Sequence, residues 1–97
     1  MTAMFIRLRV TDFATWMLAF AGESAIRNAH GARYERVFRN ATDPNEVFVL
    51  LDWDDPERAR LYADSDDARV ATWQAVVPDS PEIWLLRDMR AGERGVT

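Results

Sequence analysis

The stretch EVFVLLDW, Glu46–Trp53, has the alternation of a β-strand that is apolar on both faces. One face carries the side chains of Val47, Val49, Leu51 and Trp53, and the other carries Phe48 and Leu50. A strand of this kind belongs in the middle of a sheet, with cover on both sides. Because a chain of 97 residues has enough helix for one face only, we expect a second copy of the chain to cover the other.

Three further stretches alternate in a similar way and predict strands at residues 4–10, 32–39 and 82–89. The intervening NATDPN, residues 40–45, has the composition of a tight turn, so the second and third strands form an antiparallel hairpin.

Helical spacing follows the first and the third strand. The first helix is expected to run over residues 13–29 and to end at the C-cap Gly31. The second helical region is expected in two segments, 56–64 and 66–77, because Pro56 suits a first helical position and Ser65 begins a second cap. The core-facing stripe of the first helix is Phe13, Trp16, Met17 and Phe20.

The order β-α-β-β-α-β predicts an α+β fold, the ferredoxin-like plait with a four-stranded antiparallel sheet and strands one and three at its centre. We expect residues 1–90 to form one domain and residues 91–97 a flexible tail. One sheet face would stay apolar and uncovered, which predicts a homodimer that stacks two sheets into an α/β barrel. The expected interface residues are Phe5, Arg7, Arg9, Phe48, Leu50 and Trp84.

Composition excludes several kinds of chemistry. The chain has no cysteine and no lysine, so thiol nucleophiles and Schiff bases are absent. Its twelve arginines are interleaved with acids and the net charge is −4, which argues against a nucleic-acid surface. No ligand spacing suggests a metal site, and no apolar run suggests a signal peptide or a membrane span, so we expect a cytoplasmic protein.

Several side chains could line a pocket between helices and sheet. Large rings at helical spacing are either plain core or walls for a flat ligand. Ser24 and Arg27 continue the stripe of the first helix; either the helix end overhangs the sheet and Arg27 reaches water, or both residues line a pocket mouth. The candidate pocket residues are Trp16, Phe20, Ser24, Arg27, Tyr62, Trp73 and Arg87.

Charged residues on the predicted central strand need partners. Arg7 and Arg9 lie on the face expected to meet the second copy, where an unpaired guanidinium is costly. They would form either an inter-sheet ion-pair network or a site for an acidic ligand; possible partners are Glu35, Asp52 and Asp88. His30, the only histidine, is expected to stabilise the helix end, with proton transfer as the alternative.

Three segments resemble a known family, the dimeric α/β-barrel proteins that include antibiotic-biosynthesis-monooxygenase-like proteins and small polyketide cyclases. They are DFATW followed by Phe20, the hairpin RVFRNATDPNEVFVLLDW, and DDPERARLYADS, and the resemblance spans residues 4–89. It implies a homodimer that holds an aromatic or polyketide-like molecule between helices and sheet.

The resemblance also implies a cofactor-independent monooxygenase or cyclase. In that function Arg27 or Arg87 would stabilise an enolate or phenolate, while Tyr62, Trp16 and Trp73 clamp the substrate. Haem-degrading relatives use an asparagine on strand one and a histidine in the second helical region; here the nearest strand position is Ile6, and His30 is elsewhere. No haem, metal or other cofactor is therefore expected. The alternative is a non-catalytic ligand-binding or dimerisation module of the same fold.

Overall fold

The computed structural model describes residues 2–65 and 74–89. The elements follow in the order β1 (Thr2–Arg9), α1 (Phe13–Gly22), α2 (Ser24–His30), β2 (Ala32–Arg39), β3 (Glu46–Trp53), α3 (Pro56–Ala63) and β4 (Glu82–Arg87). The strands form one antiparallel sheet in the order β2-β3-β1-β4. The predicted α+β class and ferredoxin-like plait are confirmed, with β1 and β3 in the centre.

The core lies between the helices and one face of the sheet. The register sets Ile6 opposite Val49 on β3 and opposite Ile83 on β4, so these side chains share the helix-covered face. On β1 and β3 this face is almost fully buried, with at most 2% exposure of Met4, Ile6, Leu8, Val47, Val49, Leu51 and Trp53. The alternation predicted for β3 is therefore confirmed.

The first helical region is broken, and the prediction of one continuous helix over 13–29 was wrong. α1 ends at Gly22, and Glu23 (φ −99°, ψ 11°) separates it from α2. The amide of Glu23 donates to the Phe20 carbonyl (3.2 Å), a bond that tightens the last turn of α1. Arg27 Nη2 donates to the same oxygen (2.6 Å). That oxygen is thereby satisfied without continuation of the helix. The predicted C-cap at Gly31 is confirmed, with φ 118°.

The second helical region is described only in part. α3 begins with Pro56 after the N-cap Asp55, whose Oδ1 accepts from the Glu57 amide (2.9 Å). Of the predicted helix 66–77, residues 66–73 lie outside the described residues, as does the predicted tail 91–97.

For residues 74–77 the helix prediction was wrong. Ala75 has a positive φ of 62°, and Val76 forms an isolated antiparallel bridge with Val10. The Ala75 carbonyl accepts from the Thr11 amide (2.7 Å), so this segment extends the pairing of β1 beyond the end of β4. Residues 75–77 therefore form backbone hydrogen bonds with residues 9–11 at the end of β1 instead of helical hydrogen bonds.

None of the helices in the described ranges is both long enough and apolar enough to cross a membrane.

Candidate functional site

α1 places two large rings against the sheet. Trp16 and Phe20 are one helical turn apart and at most 2% exposed. Their rings stack with centroids 5.0 Å apart. Both predicted pocket residues therefore form one aromatic surface in the interior.

Arg27 extends this surface with a buried charge. Of the two interpretations of Arg27 offered by the sequence, the one in which the side chain reaches water was wrong, because the residue is only 1% exposed. Its Cζ lies 3.6 Å from the centroid of the Phe20 ring, a stacked cation–π contact. The break between α1 and α2 turns this side chain inward, where a continuous helix was expected to overhang the sheet.

Glu35 on β2 is the partner of this arginine. Arg27 Nε donates to Glu35 Oε2 (2.7 Å) and Nη2 donates to Oε1 (3.0 Å), a bidentate pair. Ser24 Oγ donates to the same Oε1 (3.2 Å), so the two helix residues predicted for the pocket converge on one carboxylate. Sequence reasoning missed this role of Glu35; the available signal was its inward position two residues before Val37 on β2.

Three buried side-chain nitrogens in the described residues have no hydrogen-bond partner. They are Arg27 Nη1, Trp16 Nε1 and Trp53 Nε1. Each is a donor, and a buried donor without an acceptor costs about 1–3 kcal/mol. These three N–H groups are therefore available as donors in the interior.

A second aromatic group lies around Tyr62 of α3. Tyr62 is 1% exposed, and its ring centroid lies 5.3 Å from that of Trp53 and 5.1 Å from that of His30. His30, in the last turn of α2, thus contacts the ring of a predicted pocket residue as well as lying at the helix end. The predicted pocket residue Trp73 lies outside the described residues.

Arg87 is placed apart from the buried arginine. It is the exposed last residue of β4, paired with Thr2 at the end of the sheet. It borders a cavity of about 260 Å³ whose described lining is Thr2, Ala3, Asp52, Leu86, Arg87, Asp88 and Met89. The two cations predicted for one pocket therefore occupy different parts of the fold.

The sheet face turned away from the helices carries an aromatic strip. The ring centroid of Phe5 lies 5.8 Å from that of Phe48 and 5.7 Å from that of Trp84, so the strip crosses three strands. Leu50 lies directly opposite Phe5 on the same face. Trp84 is 42% exposed and Tyr34, also on this face, 68%.

Arg7 and Arg9 lie at one end of this open face, each with an acid. Arg7 Nε donates to Glu46 Oε2 (2.8 Å), and Arg7 Nη1 lies 3.6 Å from Glu82 Oε1. Arg9 Nη1 donates to Asp43 Oδ2 (2.9 Å). Within one chain both arginines therefore have acidic partners, and the register places these acids nearer than the possible partners named from the sequence. Those possible partners were Glu35, Asp52 and Asp88.

These contacts shift two carboxyl pKa values. The hydrogen bond from Asn40 (Nδ2 to Oε1, 2.7 Å), followed by that from Arg7, lowers the pKa of Glu46. The hydrogen bond from Arg9 lowers the pKa of Asp43 and correspondingly raises the pKa of the arginine. These acids are therefore held in the charged form.

Within residues 2–65 and 74–89, no group of three or more His, Asp or Glu side chains could hold a metal ion.

The sequence matches no protein-family model. It also matches no curated protein.

Solved structures, in contrast, match over nearly the whole chain. SnoaB, a cofactor-independent oxygenase from Streptomyces nogalater, has a TM-score of 0.73 at 17% identity, covering 92% of this chain and 93% of that one. A candidate antibiotic biosynthesis monooxygenase from Bordetella bronchiseptica has a TM-score of 0.73 at 14% identity, covering 92% and 97%. Another, from Caulobacter crescentus, has a TM-score of 0.71 at 17% identity, covering 92% and 90%.

At these identities the likeness concerns the fold. The same architecture recurs over at least nine-tenths of each of these three chains. The resemblance read from the sequence is confirmed at this level: the chain has the fold of the antibiotic-biosynthesis-monooxygenase-like proteins.

Proposed function

We propose that this protein binds an aromatic or polyketide-like molecule between its helices and its sheet, and acts on it as a cofactor-independent monooxygenase or cyclase. The observation that carries the proposal is the presence of two buried N–H donors without acceptors, Arg27 Nη1 and Trp16 Nε1, at the stacked rings of Trp16 and Phe20. The shared fold with SnoaB, a cofactor-independent oxygenase, supports the same activity class.

The residues have separate roles in this proposal. Phe20 and Trp16 provide a flat wall for the substrate, and Arg27 Nη1 donates to a substrate oxygen. Negative charge that develops on this oxygen during enolate formation is stabilised by a donor already fixed in place. The bidentate pair with Glu35 and the contact with Phe20 hold the guanidinium rigid, so little reorganisation is needed.

The oxygenase reaction can be balanced without a cofactor. An activated CH₂ group of the substrate loses a proton to form an enolate, which gives its electrons to O₂. One oxygen atom becomes the new carbonyl and the other leaves as water, with the two hydrogens of the CH₂ group. The protein's contribution is then positioning and stabilisation of the enolate.

The test is turnover of a dihydroxyanthrone in air, followed by oxygen consumption and by mass spectrometry with isotopically labelled O₂. We expect a quinone that retains one labelled oxygen, at a rate well above that of the buffer and of heat-denatured protein. Arg27→Gln, which keeps a polar side chain but removes the charge, should lower kcat by about 10²–10³-fold.

The same experiment separates the alternatives. Saturable binding of the anthrone without turnover would identify a non-catalytic binding module. Absence of both binding and turnover would overturn the proposal.

We also propose that the chain forms a homodimer through its open sheet face. The aromatic strip Phe48–Phe5–Trp84 lies on that face, and exposed apolar patches of this kind mark interaction surfaces. A second copy is the occupant that fits. The ion-paired end near Arg7 and the apolar centre near Phe5 would make a polar rim and an apolar core, the usual anatomy of an interface.

A further inference from the structure

The buried arginine of the interior already has its counter-charge. Arg27 and Glu35 form a bidentate ion pair, so together they carry no net charge. Nε and Nη2 of the guanidinium are engaged, and only Nη1 lacks an acceptor. This site therefore offers N–H donors without offering a net positive charge.

We propose that Glu35 sets the charge selectivity of this interior, so that it accepts a neutral acceptor oxygen at Arg27 Nη1 and rejects a carboxylate. This inference rests on the proposed function, because it concerns the molecule that occupies the same site. It assigns a specificity role to a residue that does not itself carry the reaction.

The physical reason is charge balance in a buried site. A neutral carbonyl, amide or phenol oxygen satisfies Nη1 and leaves the site neutral. A ligand carboxylate would place a second negative charge beside that of Glu35, and a buried charge without its own counter-charge is strongly disfavoured. Trp16 Nε1, the unsatisfied donor on the ring that stacks with Phe20, is uncharged and adds nothing that would favour an anion.

Glu35 is also held so that it cannot leave the arginine easily. Its carboxylate accepts two hydrogen bonds from Arg27 and one from Ser24. The side chain of Glu35 is 18% exposed and that of Arg27 is 1% exposed, so the acid lies toward solvent and the arginine inside. A ligand in the interior therefore meets the pair as one neutral unit.

The test uses two isosteric probes, naphthamide and naphthoate, titrated at neutral pH and followed by tryptophan fluorescence. They differ in charge but hardly in shape. Wild-type protein should bind naphthamide at least about tenfold more tightly than naphthoate, a difference of about 1.4 kcal/mol. This comparison needs no variant, and a wild-type preference for naphthoate would overturn the inference.

Glu35→Gln provides the sharper readout because it keeps the shape and removes the negative charge. The preference for naphthamide should be abolished or reversed, with the affinity for naphthoate rising at least about tenfold while that for naphthamide changes little. The control is Glu57→Gln, which changes the net charge equally within an exposed pair with Arg60 and should leave both affinities unchanged.

The outcomes distinguish the two proposals. If Glu35→Gln folds and naphthoate affinity stays as in wild type, the selectivity role of Glu35 is wrong while the binding site stands. If neither probe binds the wild-type protein, the binding site itself is wrong, and the selectivity role with it.

Discussion

At the scale of single residues, Arg27 connects three elements. From α2 it reaches the carbonyl of Phe20 on α1 and the carboxylate of Glu35 on β2. Its hydrogen bond to Phe20 satisfies a carbonyl left over where α1 stops. A residue that one interpretation of the sequence placed in water is therefore buried and links three elements of the interior.

Replacing Arg27 with leucine should lower the free energy of unfolding by about 3 kcal/mol, since Glu35 loses its counter-charge and the Phe20 carbonyl loses one of its two donors. The partial exposure of Glu35 keeps the loss at the lower end of the usual range for buried pairs. Urea unfolding followed by circular dichroism measures it.

The double variant Arg27→Leu/Glu35→Leu should recover part of the loss, because no uncompensated charge then remains. Arg60→Leu, in an exposed pair with Glu57, is the matched control and should cost less than about 1 kcal/mol. Equal losses for Arg27→Leu and Arg60→Leu would contradict a central role for the buried pair.

At the scale of elements, the ends of the helices decide where the site residues point. Gly31 ends α2 with a left-handed backbone, and β2 starts at the next residue. A Cβ on Gly31 would lie 2.6 Å from Asp54 Oδ1 and 3.2 Å from Arg58 Cζ. Both the backbone conformation and the close approach require glycine at this corner.

Gly31→Ala should therefore destabilise the fold by about 1–3 kcal/mol. Gly22→Ala is the matched control, because nothing lies within 4 Å of the added Cβ and no left-handed backbone is involved. It should be neutral or stabilising by up to about 1 kcal/mol, since alanine is the better helix former. Thermal unfolding of both variants tests this, and a harmless Gly31→Ala would contradict the strained corner.

The sequence was sufficient for elements with a strong local signal. β2 and β3 have the predicted bounds, because alternation and the turn NATDPN both act within a few residues. The break at Glu23 was missed, and so was the contact between Arg27 and Glu35, because that contact joins two elements and depends on strand register. The partners of Arg7 were missed for the same reason: register across strands is a property of the assembled sheet.

At the scale of the whole molecule, the sheet has one covered and one open face. The covered face holds the core and the unmet donors, and the open face holds the aromatic strip around Phe5. The proposed chemistry and the proposed self-association thus use opposite sides of the same four strands. A substitution on one face of the sheet should therefore change one of these two properties and leave the other unchanged, and the unchanged property serves as an internal reference.

Phe5→Asp places a charge in the centre of the open face and should weaken the proposed dimer by at least about 100-fold, since central aromatic residues dominate interface energies. Light scattering coupled to size exclusion should show twice the chain mass of 11.2 kDa for the wild type and a shift toward one chain for the variant. Leu18→Asp is the control: Leu18 lies on α1, is 77% exposed and faces away from that surface. A wild-type monomer at micromolar concentration would overturn the dimer.

The position of β4 has a consequence for how this protein behaves at high concentration. The strand lies at the rim of the sheet, and all six of its residues are exposed. No strand among residues 2–65 and 74–89 pairs with its outer backbone, and an open edge of this kind templates further strands, so crowded solutions would favour lateral growth into fibres through this rim. Glu82 and Arg87 lie at the two ends of the apolar run, and their charges oppose such growth.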